Sequence, residues 1–281
     1  MVIGTTHAQA SVETAARSPH PLTWFILPTL VAVVPTLSWT LLQTDLPRPA
    51  ASGLPLIATL VVLLILERLF PLHRAWNRWP DTTDLVLLVA NRGVDLAVVA
   101  ITVVVVAAAA EPLALTSVWP STWPVVLQVT AGIFLGETVR YGLHRISHRP
   151  GLWWRVHKTH HQPDRMYTLN GPRLHPLNYL WAAAAHTVPM LFLGAPIEVL
   201  LVVMNTTVLF VIFQHANLRL DFRGINQVFA TPDVHRIHHA REGSDREANF
   251  SIVLVLIDRL FGTYAPVGAD IAADGIGYTE R

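Results

Sequence analysis

Long apolar stretches alternate along the chain with shorter segments that hold most of its charge. Apolar runs lie at residues 22–42, 54–70, 85–110 and 125–143. A fifth apolar region, 179–213, is broken by Gly194-Ala195-Pro196, a turn sequence that would fold it into a helical hairpin. Because about 20 residues cross the core of a bilayer as a helix, the first four runs predict single spans. The pattern therefore predicts an all-α integral membrane helical bundle, crossing the membrane several times.

Composition supports this prediction and limits the function. Only 14% of the 281 residues are charged and 52% are hydrophobic, whereas a soluble domain carries about 25% charged residues. A net charge of +1, without a basic patch interleaved with aromatic residues, argues against a nucleic-acid partner. The chain has no cysteine, which excludes thiolate-ligated metal centres and disulfides within it. If the chemistry needs electrons, a separate protein must deliver them.

The positions of lysine and arginine predict how the bundle is oriented. Basic residues concentrate in the N-terminal tail and in segments 68–80, 140–178 and 217–281, whereas the loops near 43–53 and 107–123 hold only Arg48. This alternation follows the rule that cytoplasmic loops are positive. Arg92 lies inside the third apolar run, so we expect it to face the bundle interior and pair with Asp95. The segments richest in histidine are therefore predicted to face the cytoplasm.

Most of the 14 histidines lie between His144 and His239. Eight of them form three tight clusters, which read His144-x-x-x-His148, His157-x-x-His160-His161 and His235-x-x-His238-His239. Residues three and four apart share one face of a helix, so each cluster can offer two or three imidazoles to a common point. Clustered neutral imidazoles are typical ligands of transition metals. The clusters therefore predict a histidine-rich helical cap that holds a metal site at the cytoplasmic membrane surface.

The number of clustered histidines indicates two metal ions. Eight imidazoles exceed what a single four-coordinate zinc ion uses, so a dinuclear site is the economical interpretation. A site of nitrogen ligands without thiolates suits iron, zinc or copper, and ligand type alone leaves the three open.

Other polar residues near the clusters have simpler predicted roles. We expect His7, His20 and His73 on the surface, and His186 as a hydrogen-bonded group inside the last hairpin. Glu137 lies on the face of His144 and is expected to pair with Arg140, with contact to a ligand as the alternative. Asp258 either orients a ligand imidazole or pairs with a nearby arginine, because ligating histidines usually donate their second N–H to an oxygen. The candidate arginines are Arg241 and Arg259.

The clusters and their flanking residues resemble the histidine boxes of the fatty acid hydroxylase/sterol desaturase superfamily. The matching segments are His144-Arg-Ile-Ser-His148, Trp154-Arg-Val-His157-Lys-Thr-His160-His161, Arg173-Leu-His175-Pro-Leu177, Phe213-Gln-His215-Ala-Asn217, Asp233-Val-His235-Arg-Ile-His238-His239, Asn249-Phe250 and Asp258-Arg-Leu-Phe-Gly-Thr-Tyr264. The resemblance covers about residues 85–265. The chain departs from the pattern at Asn178, where an acidic residue often follows, and at Ile257, where an aromatic residue often stands.

The resemblance implies an enzyme that holds two iron ions. It would use O2, with electrons from a separate ferredoxin or cytochrome-type donor, to hydroxylate or desaturate a lipid that enters from the bilayer. A sterol, a hopanoid, a fatty acyl chain or a related apolar molecule would fit equally well by hydropathy. The implied metal ligands are the eight clustered histidines, with His215 as a ninth and His175 as a tenth or as a partner of a ligand.

The same interpretation divides the chain into four segments. Residues 1–20 are a mobile N-terminal tail without the pattern of a signal peptide, and residues 21–84 are N-terminal membrane helices. Residues 85–265 form the catalytic domain that resembles the superfamily, and residues 266–281 form a C-terminal tail.

Four other functions use similar residues. A carotenoid hydroxylase or ketolase and an acyl desaturase share the histidine clusters, although the first box of desaturases more often has four intervening residues. A membrane zinc hydrolase would activate water on the metal and would need neither oxygen nor an electron donor. A membrane protein that binds a metal or a sterol without catalysis could keep the same ligands for structure.

Overall fold

The computed structural model describes residues 24–110, 117–220, 224–242, 247–268 and 271–278. The helices in these residues are α1 Ile26–Leu42, α2 Arg48–Leu69, α3 Thr82–Ala110, α4 Val125–Ser147, α5 Leu152–His161, α6 Pro176–Phe192, α7 Ile197–Phe213, α8 Pro232–His238 and α9 Val255–Leu260. The β-structure within these ranges is limited to isolated bridges, such as the one between Ala240 and Ile276. The predicted all-α fold is confirmed. The predicted tail at residues 1–20 lies outside the described residues.

Six long helices follow the predicted apolar runs closely. The fifth apolar region forms the expected hairpin of α6 and α7, which turns at Gly194 with a backbone φ of 81°, a value that glycine tolerates better than other residues. Helices α2 and α3 are long and apolar enough to cross a membrane, while α1 and α7 are apolar but shorter. On α3, Val89 and Val104 expose 73% and 67% of their surface. Valines pointing outward along an apolar helix are expected where the surroundings are lipid, in line with a membrane protein.

Close packing at the centre of the bundle depends on two glycines of α4. Helix α4 packs against α6 and α7, and Gly132 and Gly136 lie one turn apart on its contact face. A Cβ atom added at Gly132 would lie 2.8 Å from Met190 Cε of α6 and 2.8 Å from Val203 Cγ2 of α7. Small residues at this spacing let membrane helices approach closely. The two glycines thus bring the C-terminal end of α4 beside the ends of α6 and α7.

Polar residues inside the bundle are paired with one another. Asn205 of α7 donates to Ser38 Oγ of α1 at 2.9 Å and to the carbonyl of Ser52 of α2 at 3.0 Å. The predicted pair of Arg92 and Asp95 is confirmed, with 3.6 Å between Nη1 and Oδ2. Such partners offset the cost of placing polar groups in an apolar environment, so these contacts help to fix the helices relative to one another.

The loops at the histidine-bearing end are tied to the ends of α2 and α3. Glu67 Oε1 accepts hydrogen bonds of 2.8 Å from the backbone N–H and hydroxyl of Thr168 and from the backbone N–H of Asn217. Asp84 of α3 accepts from the Tyr167 hydroxyl and from Arg173. Two buried carboxylates therefore anchor two loop segments, 167–173 and the segment at Asn217, that are far apart in sequence.

His73 and the C-terminal residues also pack at this end. The prediction that His73 lies on the surface is wrong, because its side chain is buried with Nε2 3.0 Å from the carbonyl oxygen of Ile271. That partner is almost 200 positions away in sequence, so no local pattern revealed it. Ile276 packs against Trp76, and Gly277 N–H donates to the carbonyl of His239 at 3.2 Å. Residues 271–278 thus lie beside the third histidine cluster.

Candidate metal centre

Nine histidines from distant parts of the chain converge at the end of the bundle. They form two groups, and within each group the nearest ligand atoms all lie within 4.8 Å of one another. The five-histidine group consists of His144, His148, His157, His161 and His238, and the four-histidine group consists of His160, His215, His235 and His239. Eight of the nine belong to the three sequence clusters, and the ninth, His215, directly follows the end of α7.

The short helices α5 and α8 contribute to both groups. Helix α5 places His157 and His161 in the five-histidine group and His160 in the four-histidine group. Helix α8 and its C-cap place His238 in the five-histidine group and His235 and His239 in the four-histidine group. The two groups are in contact, since the rings of His161 and His239 stack with their centroids 4.3 Å apart. Each short helix therefore couples the two groups.

Four of the ligand candidates are oriented by hydrogen bonds from Nδ1 to an oxygen. The pairs are His144 with Phe250 O at 2.6 Å, His157 with Asn178 Oδ1 at 2.7 Å, His215 with Val211 O at 2.7 Å and His238 with Ala248 O at 2.8 Å. Because these oxygens only accept, each Nδ1 carries the proton and each Nε2 presents a lone pair. Such outer hydrogen bonds are typical of metal-ligating histidines.

The inward-facing nitrogens fit metal ions in both groups. Nε2 of His215 lies 3.2 Å from Nε2 of both His160 and His235, a separation close to the roughly 3.0–3.4 Å expected for two nitrogens about 2.1 Å from one ion. One lone pair on His215 cannot satisfy two N–H donors well, whereas a cation accepts all the lone pairs of a group. In the five-histidine group, Nε2 of His144, His148 and His238 is buried without a hydrogen-bond partner among the described residues.

Burial keeps the cap histidines in the neutral form that binds metals. Loss of solvation lowers the pKa of His157 and of His215 to about 4 and that of His238 to about 3. The same cause places the pKa well below its ordinary value at His160, His161, His235 and His239. Neutral imidazole is the ligating state, so these histidines need not lose a proton to bind a metal near pH 7.

Two buried carboxylates hold the backbone segment 250–253 in place. Asp258 accepts from the N–H groups of Phe250 at 2.8 Å and Ser251 at 2.9 Å. Glu137 Oε1 accepts from the next two N–H groups, those of Ile252 at 2.5 Å and Val253 at 2.9 Å. Four successive amides are thus bound by side chains, and the Phe250 carbonyl of the same segment accepts from His144. The carboxylates act on the ligands through this backbone.

These contacts correct two expectations from the sequence. Glu137 binds backbone amides instead of pairing with Arg140, because the chain 115 residues further on packs against the buried face of α4. Asp258 accepts from backbone amides and from the Thr263 hydroxyl at 2.7 Å instead of from a ligand imidazole. The guanidinium of Arg259 lies over the ring of Tyr264. The expectation that His186 is a hydrogen-bonded interior group is confirmed by its burial and its 3.3 Å contact with the Thr207 hydroxyl.

His175 lies outside both groups, contrary to its predicted role as a ligand. Its side chain is exposed, and its Nδ1 accepts from the backbone N–H of Leu177 at 3.1 Å as the N-cap of α6. Asn178, which follows it and departs from the family pattern, is the residue of this segment that contacts a ligand. A ligating histidine usually donates its second N–H to an oxygen. The side-chain oxygen of Asn178 could therefore have been inferred as the acceptor for His157.

Cavities border the centre on two sides. On the bundle side, a cavity of about 40 Å³ is lined by His144, His157, His160 and His215 together with Arg140, Leu143, Trp181 and Gln214. On the other side, a cavity of about 260 Å³ is lined by His148, His161 and His238 together with Trp154, Glu247 and Tyr278. Small molecules can therefore approach the histidines from the bundle and from the cap.

The fold and the site together define a membrane-associated helical protein with a histidine-ligated metal centre. The family model for fatty acid hydroxylase matches residues 129–263. The ornithine lipid hydroxylase OlsE of Rhizobium tropici is 30% identical over 230 residues, which are 78% of this chain and 70% of that protein. The chain therefore belongs to the fatty acid hydroxylase/sterol desaturase superfamily and is an oxidoreductase of the lipid hydroxylase type.

More distant relatives match about half of this chain. Alkylglycerol monooxygenase of Danio rerio is 28% identical over 53% of this chain and 32% of its own length. Methylsterol monooxygenase 2-2 of Arabidopsis thaliana is 27% identical over 51% of this chain and 54% of its own length. No solved structure matches the chain significantly.

Proposed function

We propose that the protein is a membrane-bound di-iron oxidoreductase that uses O2 and external electrons to hydroxylate or desaturate a lipid. The observation that carries this proposal is the pair of contacting groups of buried, neutral imidazoles beside a cavity of the apolar bundle. The relatives support it, since their names specify oxidation of an ornithine lipid, of alkylglycerols and of methylsterols. Nitrogen ligands without thiolates suit iron.

The residues of the chain would orient and insulate the ions. The nine histidines of the two groups would hold two irons, which when bound would supply the reduction of dioxygen and the breaking of an unactivated C–H bond. The hydrogen bonds to Phe250, Asn178, Val211 and Ala248 would keep the imidazoles facing inward. Leu143 and Trp181 wall the bundle-side cavity and would keep bulk water from the reacting carbon.

Electrons would come from a separate ferredoxin or cytochrome-type protein, because the chain has no cysteine for an iron–sulfur centre of its own. The cavity of about 260 Å³ brings three ligand candidates near the surface of the cap. We therefore assign the donor to the cap side and the lipid to the bundle side. Under the positive-inside rule, the long helices would cross the membrane as a multi-pass bundle with the cap in the cytoplasm.

Metal analysis with matched variants tests the assignment. Protein purified in detergent after expression with iron should hold about two irons per chain. His160→Ala removes a ligand of the four-histidine group and His238→Ala a ligand of the five-histidine group, so each should lose iron and lipid oxidation while remaining folded. His175→Ala is the control and should keep both, because His175 is outside both groups.

The same preparation distinguishes the competing function. Tightly held zinc that iron cannot replace, together with lipid turnover that continues without oxygen, would support a membrane hydrolase and contradict the oxidoreductase. Full iron content and full activity in His160→Ala and His238→Ala would refute the assigned ligands.

A further inference from the structure

Arg140 carries a guanidinium at the bundle side of the candidate metal centre. It lies on α4 one turn before His144 and lines the same cavity as His144 and His157. The carboxylates of Glu137 and Asp95 attract its charge, but none of the described residues accepts a hydrogen bond from its side chain or forms a close ion pair with it. A half-buried guanidinium offers five donors, and leaving them without acceptors in an apolar bundle is costly. An arginine kept in this position is therefore suited to an acceptor from outside the chain.

The neighbouring carboxylates do not supply that acceptor. Asp95 pairs with Arg92 at 3.6 Å and accepts from the Tyr179 hydroxyl at 3.0 Å. Glu137 directs Oε1 at the backbone amides of Ile252 and Val253, and it attracts Arg140 without accepting a hydrogen bond from it. The charges of Arg92 and Arg140 are balanced by those of Asp95 and Glu137. An acceptor beside Arg140 can therefore be a neutral carbonyl as well as a carboxylate.

A series of three cavities, in which neighbours share lining residues, lies between the histidines, Arg140 and the apolar interior of the bundle. A cavity of about 20 Å³ shares Arg140 and Ala182 with the cavity at the histidines. It also shares Asp95, Met204 and Val208 with a cavity of about 160 Å³. This larger cavity lies between α2, α3 and α7, and most of its wall is apolar, as at Leu56, Leu96, Val99, Ile197 and Leu201.

The dimensions of this series fit an extended hydrocarbon chain. Along α7 the larger cavity is bordered from Ile197 to Val208, a rise of about 16 Å at 1.5 Å per residue. Arg140 and His144 are four residues apart on α4, a rise of about 6 Å. A molecule that occupied all three cavities would place a chain of roughly a dozen carbons on one side of Arg140. Its remaining end would reach the histidines within a few bonds.

We propose that Arg140 binds a carbonyl or carboxylate oxygen of an acyl lipid whose hydrocarbon chain occupies the cavity between α2, α3 and α7. The proposal rests on the proposed function and deepens it, because it selects acyl lipids among the candidate substrates. It places the oxidised carbon close to the polar group of the lipid and not at the far end of the chain. Arg140 would then be a specificity-determining residue.

Equilibrium binding in detergent tests this without any turnover. The probes are stearic acid, its methyl ester and octadecane, each competing with a fluorescent fatty acid for zinc-loaded protein under nitrogen. Replacing a charge-assisted hydrogen bond should weaken binding of the two oxygen-bearing probes to Arg140→Met about 10- to 100-fold. Binding of octadecane should stay unchanged, and Arg140→Lys should recover part of the loss. Arg145→Gln, an exposed position on the same helix, is the control.

The comparison of probes separates the acceptors and the roles. If Arg140→Met weakens the binding of stearic acid alone, the acceptor is a carboxylate. If it weakens the binding of both oxygen-bearing probes, the acceptor is a carbonyl oxygen. If Arg140→Met weakened the binding of all three probes equally, Arg140 would only support the fold and the proposal would be overturned. Unchanged binding of all three probes would overturn it as well. Leu201→Trp should weaken all three probes by filling the apolar cavity. Because no oxygen or iron is present, these results stand even if lipid oxidation is not found.

Discussion

Four imidazoles of the candidate metal centre are oriented by oxygens that accept hydrogen bonds from their Nδ1–H groups. One of these acceptors is a side chain. His157 Nδ1 donates to Asn178 Oδ1 at 2.7 Å. Asn178→Leu removes the acceptor and leaves the ring free to turn, so metal affinity should fall about 10- to 100-fold. Asn178→Asp keeps an oxygen at the same place and should retain the affinity. The metal affinity of both variants is measured by titration with a chelator while metal release is monitored. Unchanged affinity in Asn178→Leu would contradict the role of Asn178 in orienting His157.

Glu137 allows a similar test of the backbone segment 250–253, which carries the Phe250 carbonyl, the acceptor for His144. Glu137→Leu leaves the amides of Ile252 and Val253 buried without acceptors, at about 1–3 kcal/mol each. We expect a clear loss of thermal stability and of bound metal. Glu137→Gln keeps one carbonyl oxygen for these amides and should come close to the parent. Thermal unfolding in detergent with metal analysis checks the pair, and equal behaviour of the two variants would argue against the hydrogen bonds to 252 and 253.

The convergence of the nine histidines was predictable from the sequence, whereas the groups that orient them were not. Three- and four-residue spacing within one helix identifies the eight clustered histidines, and the motif around His215 identified the ninth. His175 has the same motif support, yet a local hydrogen bond to Leu177 turns it away from the centre. Glu137 binds amides more than 110 positions later in the chain. No periodicity records a contact of that range.

At the level of helices, the close approach of α4 and α6 at Gly136 leads to a prediction. A Cβ atom at position 136 would lie 1.9 Å from Cδ2 of His186, which is itself buried and bonded to Thr207. Gly136→Ala should therefore cost about 1–3 kcal/mol of stability through overpacking. Gly142→Ala on the same helix meets nothing within 4 Å and should gain up to about 1 kcal/mol from lower backbone freedom. Thermal unfolding in detergent ranks the two, and a destabilised Gly142→Ala with an intact Gly136→Ala would contradict the packing.

The long helices follow from hydropathy because each must fill an apolar layer with apolar side chains. The shorter helices α8 and α9 have six or seven residues, and their residues alternate between contacts with ligands, backbone and solvent. Ile257 of α9 packs with Tyr141 of α4, and Val234 of α8 packs with Val255 of α9. The limits of these two helices depend on such distant contacts, so hydropathy alone did not predict them. The turn at Thr168–Asn170 is fixed in the same way by Glu67, a distant residue of α2.

For the molecule as a whole, the absence of cysteine makes the orientation directly testable. Thr44→Cys lies in the loop between α1 and α2, and Asp164→Cys lies after α5 near the metal centre; both positions are exposed. With the cap in the cytoplasm, a membrane-impermeant maleimide added to intact cells should label only Thr44→Cys. Asp164→Cys should react once the membrane is opened. The reverse pattern would place the cap outside and contradict the positive-inside assignment.

The division of the α5 and α8 histidines between the two groups has a consequence for biosynthesis. Both groups need ligands from α8 or its C-cap, and His144 and His238 need carbonyls from residues 248–250. Under the proposed function, neither ion would gain its full set of ligands until the last fifth of the chain has been synthesised. Metal loading would then be a late event, and a prematurely terminated chain would lack histidines of both groups.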